Sequence, residues 1–247
     1  MDRLIFTAMT GAKQAMQRQD SLANNLANAS TVGFRAEMTA HRAVPVRGPG
    51  EGARVFAVES TPGTDFSTGT IQQTGRPLDV AIHGRGFFTV RAPDGGEAYT
   101  RAGSFHLDQD GNLLVHGRHA VMGDGGPLNV PIDNRIEIAP DGTVSAIPES
   151  GNLNSVTVIG RIKLVKPEEK DLVKGTDGLF RMRSGETLPL DETVTLTPGA
   201  VEGSNVNVVE AMVEMIAIAR QFDMQMKMLS TAEADSRTSA QLLNVNS

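Results

Sequence analysis

All twelve prolines of this 247-residue chain lie between Pro45 and Pro198, and of its 26 glycines only Gly11 and Gly33 lie outside positions 48–203. Proline and glycine interrupt helices, and here they stop where helical apolar spacing begins. The chain therefore reads as a helix, a long turn-rich β body and a second helix. Each end helix carries an apolar stripe that the β body need not cover. Ends of this kind pair with each other or with neighbouring chains, which points to assembly rather than catalysis.

The first segment places Ile5, Ala8, Ala12, Ala15, Leu22, Leu26 and Ala29 at alternating steps of three and four, with Gln19 filling the missing place. That is a 3.5-residue seam. Its alanines would let a partner helix approach closely. Asn24, Asn25 and Asn28 are poor helix formers, because their side chains compete for backbone groups. Amide hydrogen bonds to another chain would account for them. The helix is expected to end near Ser30 or Thr31, with Gly33 in the left-handed position beyond it and Phe34 making the apolar contact that follows.

In the last segment, Asn207 and Glu210 have the spacing of a capping box. A stripe follows through Val208, Met212, Met215, Ala219, Phe222, Met226 and Leu229, resuming at Ala240 and Leu243. Glu233 and Ser236 weaken it between. Val209, Val213 and Ile216 add a second row, broad enough to touch more than one neighbour. The methionines suit either an intramolecular seam or an intermolecular contact, and different faces could serve both.

The middle reads as an extended linker from Ala43 to Arg54, then short β-prone runs at Leu78–Ile82, Gly86–Arg91, Asn112–Val115, Arg135–Ile138 and Ser155–Val165. Asp-Gly turns separate several of them, which predicts antiparallel hairpins. The chemistry is thin. With no cysteine, thiol catalysis, disulfides and thiolate zinc sites are excluded. A net charge of −6 gives no basic field for nucleic acid. Gly84-Arg85-Gly86 precedes a strand rather than a helix, so it lacks the helix N-terminus a dinucleotide site needs. Asp108–Asn112 has its glycine two places early for a calcium loop and reads as a hairpin turn. His116 and His119 make a weak metal pair. The longest apolar run of the last helix, Met215–Ala219, falls far short of the ~20 residues a bilayer needs. No signal-peptide core follows Met1, which alone would keep the chain in the cytoplasm. An export route that cleaves no signal is invisible to that test.

Four segments, in order along the whole chain, resemble the bacterial flagellar rod and hook proteins: residues 21–35 (SLANNLANASTVGFR), 73–88 (QTGRPLDVAIHGRGFF), 99–105 (YTRAGSF) and 202–207 (EGSNVN), extended by Met215-Ile216 and Arg220–Phe222. Residues 1–9 and 42–46 are most similar to the proximal-rod branch; distal-rod and hook-type branches are the alternative. The resemblance implies an α+β fold in which residues 1–35 and 206–247 form a discontinuous coiled-coil layer. Residues 36–75 and 186–205 would be extended connectors, and 76–185 a mostly antiparallel β domain.

The resemblance further implies a non-catalytic subunit of the shaft that carries torque across the periplasm, exported through the flagellar apparatus with its N-terminus uncleaved. Its partners would be other proximal-rod proteins, the distal-rod protein and copies of itself, with no cofactor, metal, nucleic acid or lipid anchor. Interface residues are expected at Leu22, Asn24, Asn25, Leu26, Asn28, Val208, Met212, Met215, Ile216, Phe222, Met226 and Leu229. Motif turns and caps are expected at Gly33, Phe34, Gly75, Gly84, Gly86, Asn205 and Asn207. Two other classes remain: a soluble β-domain enzyme or ligand-binding protein with helical dimerisation ends, which would need an apolar pocket with converging polar groups, and a coiled-coil adaptor, whose stripe would have to run through Glu233 and Ser236.

Overall fold

The computed structural model describes residues 2–45, 55–132, 134–148 and 156–244, and within them the fold is α+β. The proline- and glycine-rich stretch after Pro45, Ser155 and the last three residues lie outside the described residues, as do the side chains of Ala240 and Leu243. The chain divides into two compact units. One combines Met1–Ala29, Ala36–Asp65 and Val206–Ser247; the other combines Ser30–Arg35 with Phe66–Asn205.

The first unit contains helix α1 (Asp2–Ala27), strands β1 (Glu37–Pro45) and β2 (Val55–Thr64), and helix α2 (Val208–Asn244). The helices pack antiparallel. Gly11 lies against Gln225, where an added Cβ would come within 2.7 Å of the Gln225 amide nitrogen, while Arg18 pairs with Glu214 further along α1 and earlier in α2. Alanines fill much of the seam: Ala12, Ala15 and Ala211 are buried, with Leu22 and Ile218. Small side chains there let the backbones approach closely. Helix α1 stops at Ala27, earlier than expected. The Asn28 N–H is shared between the carbonyls of Asn24 (3.1 Å) and Asn25 (3.2 Å), and Ala29 donates to Leu26 at 3.2 Å, so the last turn tightens before it can continue.

Residues 36–65 are not an open connector. Strands β1 and β2 pair antiparallel from Glu37↔Thr64 to Pro45↔Val55, with a bulge between Met38 and Ala40.

The second unit is built from short antiparallel strands. They are β3 (Ile71–Gln73), β4 (Val80–His83), β5 (Phe87–Arg91), β6 (Glu97–Thr100), β7 (Phe105–Leu107), β8 (Leu113–Val115), β9 (His119–Ala120), β10 (Met122–Gly123), β11 (Gly126–Pro127), β12 (Asn134–Ile138), β13 (Thr143–Pro148), β14 (Thr157–Arg161), β15 (Leu164–Val165), β16 (Leu172–Lys174), β17 (Phe180–Met182), β18 (Thr195–Pro198) and β19 (Ala200–Glu202). The main sheet runs β15-β5-β6-β17-β16, and β12-β13-β14 and β7-β8-β9 form smaller ones. Asp-Gly turns close the β7–β8 and β12–β13 hairpins as the sequence predicts. Strand alternation splits the core. Phe88 joins Val80, Val90, Phe105 and Val115 on one side of the main sheet, while its neighbour Phe87 joins Tyr99, Val165 and Phe180 on the other. Residues 186–205 also depart from a connector: β18 pairs with β4, and β19 with β3.

One carboxylate gathers this unit. Glu202 is 1% exposed, and Arg35 and Arg101 are each 2% exposed. The Glu202 Oε1 accepts from Arg35 Nη2 at 2.7 Å and from the Gly69 N–H at 2.9 Å. Its Oε2 accepts from Arg101 Nε at 2.8 Å and forms an ion pair with Arg101 Nη2 at 2.6 Å. Arg101 then donates through Nη1 to the Gly86 carbonyl at 2.7 Å and through Nη2 to that of Gly84 at 3.0 Å. Burial pulls the Arg101 pKa below the ordinary guanidinium value; the Glu202 carboxylate opposes the shift and the Arg35 charge adds to it.

Removing one partner of a buried charge network leaves the others uncompensated. Glu202→Gln should therefore destabilise the β unit by about 3–5 kcal/mol, read as a lowered urea midpoint; a change no larger than that of an exposed Glu→Gln control would contradict this role.

Four turn aspartates give a pH signature. Asp108 and Asp191 are held below the usual carboxylate range first by side-chain bonds from Asn112 and Thr193, Asp141 by the Thr143 N–H, and Asp177 by the Arg181 guanidinium. A depressed folded-state pKa contributes stability above the unfolded value of about 3.9, and that stability is lost as pH falls through the folded values. The urea midpoint contribution of these turns should be level from about pH 7 to 5 and decline below about pH 4, with a shallower decline in an Asp108→Asn/Asp191→Asn variant.

Candidate subunit interface

Helix α2 has two differently used faces. Ala211, Ile218 and Ala232 are buried, with Met215, Phe222, Gln225 and Leu229 partly buried, in steps of three and four that form the seam toward α1. Met215, Phe222 and Leu229 therefore lie where the sequence stripe puts them. Val208, Met212 and Met226 do not: they are exposed. Large apolar side chains marked the stripe in the sequence, whereas close helix approach selects the alanines beside them.

Met212 joins the second row expected from the sequence, and together they face outward. Val209 (72% exposed), Met212, Val213 and Ile216 (56% exposed) follow i, i+3, i+4, i+7 along α2. Met224 and Met228 are exposed one turn apart further on, and α1 exposes Phe6, Met9 and Met16. No helix among the described residues is long and apolar enough to cross a membrane.

The asparagine cluster is partly corrected. Asn25, 6% exposed, is used within the chain. Its Nδ2 donates to the Glu37 carbonyl at 2.9 Å and its Oδ1 accepts from the Glu37 N–H at 2.8 Å, so the amide imitates a strand neighbour and ties β1 to α1. It takes the seam place expected for Leu26, which is only half-buried. Asn28 Nδ2 donates to both the carbonyl and the side-chain oxygen of Asn24, each at 2.9 Å, one turn back on the helix. Asn24 is exposed and Leu22 is buried in the seam. At the other helix, Asn207 Oδ1 accepts from the N–H groups of Val209 (3.1 Å) and Glu210 (3.3 Å), which is the expected N-cap.

The motif residues of the β unit converge on the Glu202 cluster. Gly33 has φ +69, and an added Cβ would lie 2.3 Å from the Ala102 nitrogen, so only glycine fits where residues 30–35 cross that strand end. Its N–H donates to the Glu202 carbonyl at 2.7 Å. Phe34 carries the Lys174 ammonium 4.0 Å above its ring. Gly84 and Gly86 present their carbonyls to Arg101, and the Gly75 N–H donates to Gly199 at 2.9 Å. Asn205 Nδ2 donates to the Ser67 carbonyl at 3.1 Å. Arg35, Arg101 and Glu202 themselves were missed by sequence reasoning. Each stands inside a segment that carries the resemblance, and a charge embedded in such glycine-rich stretches was the available signal.

For chemistry the site is poor. Among the described residues there is no metal-holding group of three His, Asp or Glu side chains. Asp108 accepts from the Asp110 and Asn112 N–H groups at 2.9 and 2.7 Å, which is the hairpin turn. An open groove of about 690 Å³ runs between Leu78, Leu107, Ile136 and Ile147, with Arg76 and Arg135 on its walls. Arg76 is already committed to Asp79 at 2.7 Å and to the Phe105 carbonyl at 2.6 Å.

Three family profiles match in the order of the motifs: "Flagella basal body rod protein" over residues 5–35, "Flagellar hook protein FlgE/F/G D1 domain" over 81–146 and "Flagellar basal body rod FlgEFG protein C-terminal" over 197–242. The chain is 44% identical over 252 residues to the flagellar basal-body rod protein FlgF of Salmonella typhimurium and to that of Escherichia coli, covering 100% of both chains in each case. It is 30% identical over 254 residues to the flagellar basal-body rod protein FlgG of Bacillus subtilis, covering 94% of this chain and 96% of that one. With full-length identity to rod proteins and motifs that build both units, the chain belongs to the flagellar basal-body rod protein family.

Proposed function

We propose that this structural rod subunit belongs to the proximal segment of the flagellar shaft, where it carries torque across the periplasm without catalysis. The observation that carries the reading is the outward row Val209, Met212, Val213 and Ile216 on a helix whose opposite face is already filled by α1. An apolar face of that kind is stabilised by neighbouring helices, and copies of this chain and other rod proteins are its partners. The α1–α2 pair would then be the building element of a coiled-coil layer, with Met226 and Val208 extending the contact. The 44% identity to FlgF, against 30% to the Bacillus FlgG, favours the proximal over the distal segment. Export without a cleaved signal brings the chain to that place.

The division of the asparagines fits this reading. Asn25 holds the first unit together, and the exposed Asn24, braced by Asn28, would set register against a neighbour, because a misaligned amide in a buried seam loses its hydrogen bonds.

Two substitution sets test it in a strain lacking the gene. Met212→Glu/Ile216→Glu leaves the α1–α2 seam intact, so the purified protein should unfold at the wild-type midpoint while swimming is lost and basal bodies show rods that stop short. Wild-type swimming in that strain would sink the interface. Asn24→Ala/Asn28→Ala should likewise impair swimming with little loss of stability, whereas Asn25→Ala should cost about 1–3 kcal/mol of stability by removing its two hydrogen bonds to the Glu37 backbone, measured by urea unfolding.

A further inference from the structure

Helix α2 exposes four methionines on a chain with few other readily oxidised groups. The sequence has no cysteine and no tryptophan, and its one tyrosine, Tyr99, is 1% exposed. Methionine sulfur is therefore the group most open to an oxygen-donating oxidant. The methionines of the β unit, Met122 and Met182, are half-buried, as is Met215 in the α1–α2 seam. Met212, Met224, Met226 and Met228 are exposed, from 47% at Met226 to 62% at Met224.

Exposure does not separate these four, but their neighbours do. On a helix, side chains three and four places apart meet. Met212 has Val208, Val209, Met215 and Ile216 at those places, all apolar. Met224 has Arg220, Gln221 and Lys227 there, Met226 has Ser230, and Met228 has Gln225 and Thr231, and each of these carries a hydrogen-bond donor. Oxidation turns an adaptable apolar thioether into a polar sulfoxide whose oxygen is an acceptor. Beside the other three methionines a donor stands one turn away. Beside Met212 none does, and the new oxygen would stand in the apolar row of Val209, Val213 and Ile216.

We infer that Met212 is a sulfoxide modification site, whose oxidation on the free subunit, before a neighbour covers it, stops the outward row from packing. The inference rests on reading that row as a subunit contact. Hydrogen peroxide is the oxidant class that balances the step. The sulfur lone pair attacks one peroxide oxygen, an S–O bond forms and the O–O bond breaks. The departing hydroxide takes the proton left on the transferred oxygen, so methionine and peroxide give methionine sulfoxide and water. An unpaired polar group inside an apolar contact weakens that contact about tenfold or more. The seam toward α1 keeps its own side chains, so the fold survives.

The test has two arms. In the first, the purified full-length chain is treated with hydrogen peroxide and mapped by mass spectrometry. Met212, Met224 and Met228 should gain oxygen at similar rates, about tenfold faster than Met215, with the urea midpoint unchanged. A Met212 as slow as Met215 would overturn the site. In the second, the chain is accumulated in cells whose flagellar export is switched off, exposed to hydrogen peroxide, and released for export once catalase has removed the oxidant. Sulfoxide fractions are then compared between the soluble pool and isolated basal bodies. Met212 sulfoxide should be depleted about tenfold in the basal bodies, while Met224 and Met228 sulfoxides enter in proportion. Equal fractions at Met212 would overturn the inference and leave the rod reading intact. A chain missing from basal bodies even without peroxide would sink the rod reading, and this inference with it.

Discussion

The β unit depends on one buried carboxylate. Glu202 ends strand β19 and receives donors from positions 35, 69 and 101, so three stretches remote in sequence are fixed to a single point. Hydrophobic burial is non-directional and would tolerate several arrangements of short strands. A charge with three donated hydrogen bonds tolerates one. The glycines around it follow from that demand: Gly33 lets the backbone of residues 30–35 pass against Arg101–Ala102, and Gly84 and Gly86 turn their carbonyls to the far side of the Arg101 guanidinium.

The two units solve different packing problems. The β unit has aromatic and branched side chains from many strands, and the Phe87–Phe88 alternation fills both sides of its main sheet. The helical unit has little bulk to bury. It achieves contact by removing bulk, with alanines on both helices and Gly11 where Gln225 crosses, and places its larger apolar residues outside. Such a pair is stabilised weakly by itself and gains from neighbours, which is the physical basis for reading it as an assembly element.

Much of this was legible in the chain. The breaker-free ends, the Asp-Gly turns at 110–111 and 141–142 and the Asn207 cap each carry a local rule that acts over a few residues. The misses share a cause. Ala211 and Ala232 fill the seam toward α1 although larger apolar residues stand beside them, because helix spacing favours small residues, and spacing is a tertiary fact. Asn25 pairs with a strand twelve residues on, and Glu202 with arginines 167 and 101 residues away, so neither role leaves a local trace. The 36–65 hairpin was hidden by prolines and glycines that punctuate it without preventing its pairing.

The antiparallel helix pair joins residues 196 apart, Arg18 and Glu214. One helix of that unit precedes the β unit in the chain and the other follows it, so the seam cannot close before residues 206–244 are made. The contact is among the most non-local a chain of this length can make, and closing so long a loop is slow. The first helix thus stays unpaired until residues 206–244 are there to meet it.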